Sequence, residues 1–347
     1  MYWILRIFIL LGSAVSCILS ADDALEKRAS EASVQTVYTF PNGTVMENLA
    51  VRSNGQILVS IITAPHLYLL DPQVNSSVTL VHSFHGYECV FGIAELEKDQ
   101  FYVLTGNASA ETLTTVTGSW SAWKVDMTLF QDTASGNASN IPGNFVEKVA
   151  DFPDTQFLNG LGVLSKENGL LYAADPFGGA INVLNVYSGH HYVAINNSYT
   201  IPGEPFTTPI GVNGVHVWQP YQEDTPYVFY TNTAQSILVR MPIHLTDGTS
   251  AGDPEIILSG FEMDDFTFDY EGNVLQAVIG SNVVMKINPH TKEVTVIGGS
   301  VNSTELAGPS AVQLGRLASD KDVAFVTLNG AGKVPGAVKM MDLGSLV

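Results

Sequence analysis

The chain has 347 residues and a formal net charge of −19, with only 15 Lys and Arg. Those cations form no run, which argues against nucleic acid as a partner, because phosphate binding needs clustered Lys and Arg. Hydrophobic residues make up 46% and charged ones 14%, the composition of a chain that can bury a large core.

At the start, Arg6 precedes the apolar run Ile7-Phe8-Ile9-Leu10-Leu11, and the small residues Ala14, Ser16, Ser20 and Ala21 follow. A charged start, an apolar middle and a small-residue exit predict a signal peptide over residues 1–21. The apolar run falls short of the roughly 20 residues a spanning helix needs, so no membrane span is expected in the mature chain. Residues 22–33, with the dibasic pair Lys27-Arg28, read as a processed or flexible segment. The folded domain is expected over 34–347, in the secretory pathway, secreted or luminal. Six glycosylation sequons, at Asn42, Asn75, Asn107, Asn137, Asn196 and Asn302, agree with that route. Cys17 lies in the leader, which leaves Cys89 alone and no internal disulfide. An inert buried thiol is the favoured reading of Cys89 over a nucleophile.

Beyond residue 33, short Val/Ile/Tyr/Phe runs alternate with Gly, Asn, Asp and Pro clusters, which predicts many short strands. The run Val34–Phe40 comes first. Glu47-Asn48-Leu49-Ala50-Val51 then leads through Asn54-Gly55 to Ile57-Leu58-Val59 and Leu67–Pro72. Asn159-Gly160-Leu161-Gly162-Val163 leads through Asn168-Gly169 to Leu171-Tyr172-Ala173 and Ile181–Leu184. Asn213-Gly214-Val215-His216-Val217 leads to Tyr227–Tyr230 and Ile237–Val239. Asp264-Asp265-Phe266-Thr267-Phe268 leads through Glu271-Gly272-Asn273 to Val274-Leu275 and Val283–Pro289. Looser units run from about Val90 to Val125 and from Gly308 to about Met341. Six such units predict an all-β, six-bladed β-propeller, with Val34–Phe40 closing the ring as an outer strand of the last blade. A pair of β-sandwiches is the rival fold, but it predicts no in-register repeat.

The repeat aligns Glu47, Asn159, Asn213 and Asp264, separated by 112, 54 and 51 residues, at the start of the first strand. First strands line a propeller's channel, so these four converge on its axis and form an all-oxygen set. Such a set suits Ca²⁺ and suits zinc poorly. Asx capping of strand starts is the structural alternative. Asp265 competes with Asp264 for the role, because only the hydrophobic pattern fixes the register. Phe91, Phe157, Phe177 and Trp218 lie near strand starts or loops and are candidate aromatic walls for an apolar substrate, with ordinary core packing as their alternative. His190-His191 reads as a solvated turn rather than a dyad. His216 alternates with Val215 and Val217, with no partner identifiable. Asp175–Gly179 reads as a loop that can bring Phe177 to the pocket. No G-x-S-x-G elbow, phosphate loop or H-E-x-x-H is present.

In register and in these four residues the chain resembles the gluconolactonase, senescence-marker and luciferin-regenerating superfamily with its related phosphotriesterases. The resemblance implies a six-bladed propeller in which Glu47, Asn159, Asn213 and Asp264 hold a catalytic Ca²⁺. The segments Glu47–Arg52, Leu69-Leu70-Asp71-Pro72 and Gly308-Pro309-Ser310-Ala311 with Gly315-Arg316 resemble a secreted fungal branch. That branch is similar to the hetero-Diels–Alderases of tropolone–sesquiterpenoid biosynthesis, of the eupenifeldin and xenovulene type. It implies a pericyclase joining a tropolone quinone methide to a humulene-type alkene, with Ca²⁺ inherited or absent. A Ca²⁺-dependent lactonase or phosphotriesterase, with Asp264 as base or nucleophile and Glu47 chiefly as ligand, is the second reading. A non-catalytic extracellular binding propeller is the third.

Overall fold

The computed structural model describes residues 32–74, 77–109, 112, 114–130, 145–203, 209–219 and 225–344. The predicted leader, residues 1–21, lies outside the described residues. Among the described residues there is no α-helix, only two short 3₁₀ turns, and no helix long and apolar enough to cross a membrane.

Six four-stranded antiparallel sheets form the six predicted blades. Their innermost strands are Met46–Val51, Cys89–Glu97, Leu161–Ser165, Val212–Trp218, Phe266–Phe268 and Pro309–Leu314, numbered here as blades 1 to 6. Each innermost strand packs against that of the next blade, and Met46–Val51 packs on Pro309–Leu314, so the ring is closed. Blade 6 takes its outermost strand, Ser33–Thr39, from the start of the domain, pairing Val34 with Met341 and Thr39 with Ala337. This is the expected closing strand, and it covers an edge that would otherwise be open.

The core explains why the strands read as nearly continuous apolar runs. Every blade has both faces covered, and a separate buried cluster fills each of the six clefts between neighbours. Trp120 and Phe152 of blade 2 meet Leu161 and Leu171 of blade 3 in one cleft. Val37 and Phe40 meet Leu49 and Val59 in the closing cleft.

Near the axis the wedges become too narrow for side chains. A Cβ on Gly160 would stand 2.1 Å from the Asn213 carbonyl oxygen, and one on Gly162 2.1 Å from that of Val215. The Asn-Gly dipeptides of the repeat therefore carry a packing demand: polar into the channel, then nothing against the next blade.

Two stability outcomes follow from this packing. Phe40→Ala empties the closing cleft and is expected to lower unfolding free energy by about 3–5 kcal/mol. Gly160→Ala is expected to cost about 1–3 kcal/mol through overpacking. Urea unfolding followed by tryptophan fluorescence measures both.

Candidate functional site

The candidate site grows out of a break in the ladder between the first and second strands. In blade 1 the register jumps between Met46 and Leu49, in blade 2 between Val90 and Ile93, and in blade 4 between Val212 and Val215. Bulges re-aim side chains, and here two consecutive residues leave the ladder in each of these blades. The first of each pair is Glu47, Phe91 and Asn213. Blades 3 and 5 reach the same point just before their first strands: the Asn159 N–H donates to Ala174 O and the Asp264 N–H to Ala277 O.

The structure brings Glu47, Asn159, Asn213 and Asp264 together at one cavity of about 380 Å³. All four are buried. They pair internally: the Asn159 side chain hydrogen-bonds Glu47, and Asn213 Nδ2 donates to Asp264 Oδ1 at 2.8 Å. Asn213 Nδ2 also donates to Thr233 Oγ1 at 3.0 Å. Its Oδ1 is buried with no hydrogen-bond partner.

No Lys, Arg or His lines this cavity among the described residues, so the two acids share an uncompensated apolar setting. Burial pushes the Glu47 carboxyl up from 4.5 to about 8; the Asn159 hydrogen bond opposes this and the nearby Asp265 adds to it. Asp264 is held well above the usual carboxylate range by burial first, then by Glu47 and Asp265, with the Asn213 hydrogen bond opposing.

The wall is aromatic. Phe91 stands at the ring position of blade 2 where blades 1, 3, 4 and 5 carry Glu47, Asn159, Asn213 and Asp264. It packs edge-on to Phe157 at 5.0 Å, and Phe157 packs edge-on to Phe177 at 5.1 Å. The buried Asp175 carboxylate fixes this wall by accepting from the N–H groups of Gln156, Phe157 and Gly178. The Asp175–Gly179 loop thus does bring Phe177 to the cavity.

Trp218 is a correction. It lies five residues beyond Asn213 on a strand that runs along the channel, about 17 Å further at the usual strand rise. There it packs on Phe268 at 5.1 Å and does not line this cavity.

The register between Asp264 and Asp265 is also resolved. Asp264 faces the cavity, whereas Asp265 turns the other way and accepts from Asn48 Nδ2 at 2.6 Å and His216 Nε2 at 2.8 Å. Asp265 is therefore the partner His216 lacked in the sequence. His191 stacks on Phe152 and its Nε2 meets Asp151 O, so His190-His191 forms no dyad. Cys89 is buried, its thiol donates to Gly106 O, and burial pushes it up to about 12, as befits an inert thiol. Of the sequon residues, Asn42, Asn196 and Asn302 are exposed and Asn107 is half-buried; Asn75 and Asn137 lie outside the described residues.

Sequence reasoning missed the loop-borne part of the rim. Ser109 and Thr115 come from a small hairpin inserted in blade 2, Ile210 from a loop, Ile279 from the 3₁₀ turn Ile279–Ser281, and Asn329 and Ala331 from a glycine-rich turn in blade 6. The Thr-rich run after Asn107 was the one visible signal for the hairpin.

The four floor residues offer hard oxygens, and the unpartnered Asn213 Oδ1 is an acceptor that a cation at the floor would satisfy. The residues thus fit Ca²⁺. Among the described residues no three His, Cys, Asp or Glu side chains gather as a metal site, so such a cation depends on the two amide oxygens.

No family model matches the chain. A candidate hetero-Diels–Alderase of Phoma sp is 26% identical over 324 residues, covering 84% of this chain and 86% of that protein. Another protein so named, from Sarocladium schorii, is 24% identical over 326 residues, covering 84% and 77%. Among solved structures, a luciferin-regenerating enzyme superposes with TM-score 0.61 at 13% identity, covering 89% of this chain and 95% of that one. Regucalcin of Agrobacterium tumefaciens, described as a calcium-binding protein, superposes with TM-score 0.56 at 15% identity, covering 89% and 96%. The chain is thus similar to candidate hetero-Diels–Alderases over most of its length, and its fold is that of the luciferin-regenerating and regucalcin propellers.

Removing the Asp265 carboxylate is expected to unsettle the floor from below. Asp265→Ala strands the Asn48 amide, the His216 ring N–H and the Phe266 N–H. Each orphaned buried group costs about 1–3 kcal/mol, so a stability loss of about 3 kcal/mol or more is expected in urea titration.

Proposed function

We propose that the chain is a hetero-Diels–Alderase that joins an oxadiene of the tropolone quinone-methide class to the alkene of a humulene-type sesquiterpene. The observation that carries this reading is an aromatic-walled cavity whose ionisable floor groups, among the described residues, are two buried carboxyls with raised proton affinity.

The reaction asks for little else. A C–C bond forms between the methide carbon and one alkene carbon, and a C–O bond between the diene oxygen and the other. Three π bonds become two σ bonds and one new C=C, with no proton, oxidant or leaving group exchanged. Catalysis therefore consists of orientation, worth up to about 7–11 kcal/mol, and polarisation of the oxygen. Phe91, Phe157 and Phe177 hold the apolar partners and keep water from a methide it would trap. Glu47, protonated below about 8, donates a hydrogen bond to the diene oxygen as negative charge develops there.

Three outcomes are expected in a turnover assay that reads stereoselective adduct above the uncatalysed background. Glu47→Ala slows the wild-type rate about 10²-fold, the usual loss of a donor to a developing oxyanion. Glu47→Gln, which keeps an N–H donor, retains most of it. The wild-type rate is flat at lower pH and declines as pH rises through about 8, where Glu47 loses its proton. A folded protein that yields no adduct above background ends this reading.

A second reading is favoured by the orphaned Asn213 Oδ1. Here Glu47, Asn159, Asn213 and Asp264 hold Ca²⁺ and the protein hydrolyses a lactone or phosphotriester. When bound, the ion polarises a carbonyl or phosphoryl oxygen. The chain's own part is to supply two ionised carboxylates and a water-accessible floor, with Asp264 as base. The likeness in fold to a protein described as calcium-binding supports it.

Linkage separates the two. Without a cation, the raised Glu47 pKa gives stability fully present below 4.5 and lost as pH rises through about 8. In chelator the Tm is therefore expected to fall across that window. On the second reading Ca²⁺ restores it most at the alkaline end, and Glu47→Gln abolishes the restoration. A Tm that ignores Ca²⁺ at every pH sinks the metal reading.

A further inference from the structure

At the opposite end of the channel another cavity of about 390 Å³ opens. All six innermost strands contribute to it. At its deepest level the ring is lined by Ala50, Ala94, Gly162 and Thr267, which leave space, and by His216, whose side chain is 20% exposed. The Asn48–Asp265–His216 layer separates this cavity from the carboxyl-floored one.

The chemistry of its wall is specific. Asp265 already accepts from Asn48 and from the Phe266 N–H, so His216 Nε2 carries the hydrogen that meets it. That tautomer leaves Nδ1 as an acceptor. Thr267 Oγ1 donates to Gln313 Oε1 at 3.2 Å, which leaves the Gln313 amide N–H groups as donors. Arg316 is paired with Glu95 and also donates to Val51 O at 3.0 Å. At the rim, Tyr270 presents its ring to solvent at 68% exposure, beside Phe268.

These features exclude some ligands. Arg316 and His216 each have an acidic partner, and the chain carries −19, so a free anion gains little. The wall mixes aliphatic side chains with these polar groups, and a wholly apolar molecule would leave the His216 ring nitrogen and the Gln313 amide without partners. A flat aromatic face beside such groups suits a ring with hydroxyls on its edge and C–H bonds on its face.

We infer that this mouth is a second binding site, for a small neutral saccharide or similar polyhydroxylated ring. His216 Nδ1 and Gln313 bond its hydroxyls, and Tyr270 stacks on its face.

Saturation-transfer NMR and calorimetry on the full chain test this with glucose, galactose, mannose, cellobiose and maltose, against acetate and inorganic phosphate. At least one saccharide is expected to bind one-to-one. Tyr270→Ala and Gln313→Ala, both at the rim and free of the buried layer, are each expected to weaken it about tenfold or more. Phe157→Ala, in the other cavity, is expected to leave it unchanged. The inference is overturned if no saccharide binds at concentrations of about 10 mM, in the range of a weak site. It is equally overturned if acetate or phosphate binds in preference, or if both rim variants bind as the wild type does.

Discussion

The Asp265 carboxylate is the interaction on which the rest of the channel depends. It accepts from Asn48 of blade 1, from His216 of blade 4 and from its own neighbour Phe266. Its backbone N–H donates to Ser310 O of blade 6. Four blades thus take their positions from one residue near the axis, where apolar clusters between the blades cannot reach. Burying a carboxylate is costly unless its oxygens are fully hydrogen-bonded, and here they are. Satisfied in this way, the group specifies one arrangement of the blades about the channel.

Because Asn48 and Asp265 are tied to each other, their chain neighbours Glu47 and Asp264 are tied as well. The two acids of the floor cannot separate to relieve their repulsion without breaking the layer beneath them. Burial is the larger cause of their elevated proton affinities, and the neighbouring charges that the strut holds close add to it. Either answer to that repulsion, a retained proton or a bound cation, gives the cavity an electrophile facing an aromatic wall. The two functional readings differ in which electrophile it is and in whether water is kept out, and they share the same cavity.

Much of this was legible in the sequence because it repeats. The aligned Glu47, Asn159, Asn213 and Asp264 do converge, and Val34–Phe40 does close the ring. What stayed hidden has physical reasons. A slip of one residue exchanges Asp264 for Asp265 with little change in the apolar pattern, so only the backbone course just before the strand, where the Asp264 N–H donates to Ala277 O, decides which end each serves. Trp218 was misplaced because nearness in sequence along a strand is distance along the channel. Phe91 took the ring position of blade 2 in place of an oxygen-bearing side chain, which is why that blade's repeat looked weak. The rim hairpin and the turn at Asn329 are insertions, and insertions have no register to read.

The blade built from both ends of the domain has a consequence in time. Ser33–Thr39 is made before every other strand of the ring, and its partner Ala337–Asp342 after them. The first strand must wait through the synthesis of five blades with its ladder groups unpaired. Contacts this distant in sequence are slow to form and leave a sticky edge open meanwhile. The final closure, rather than the formation of any one blade, is thus the step at which this chain either becomes a closed ring or meets a second copy of itself.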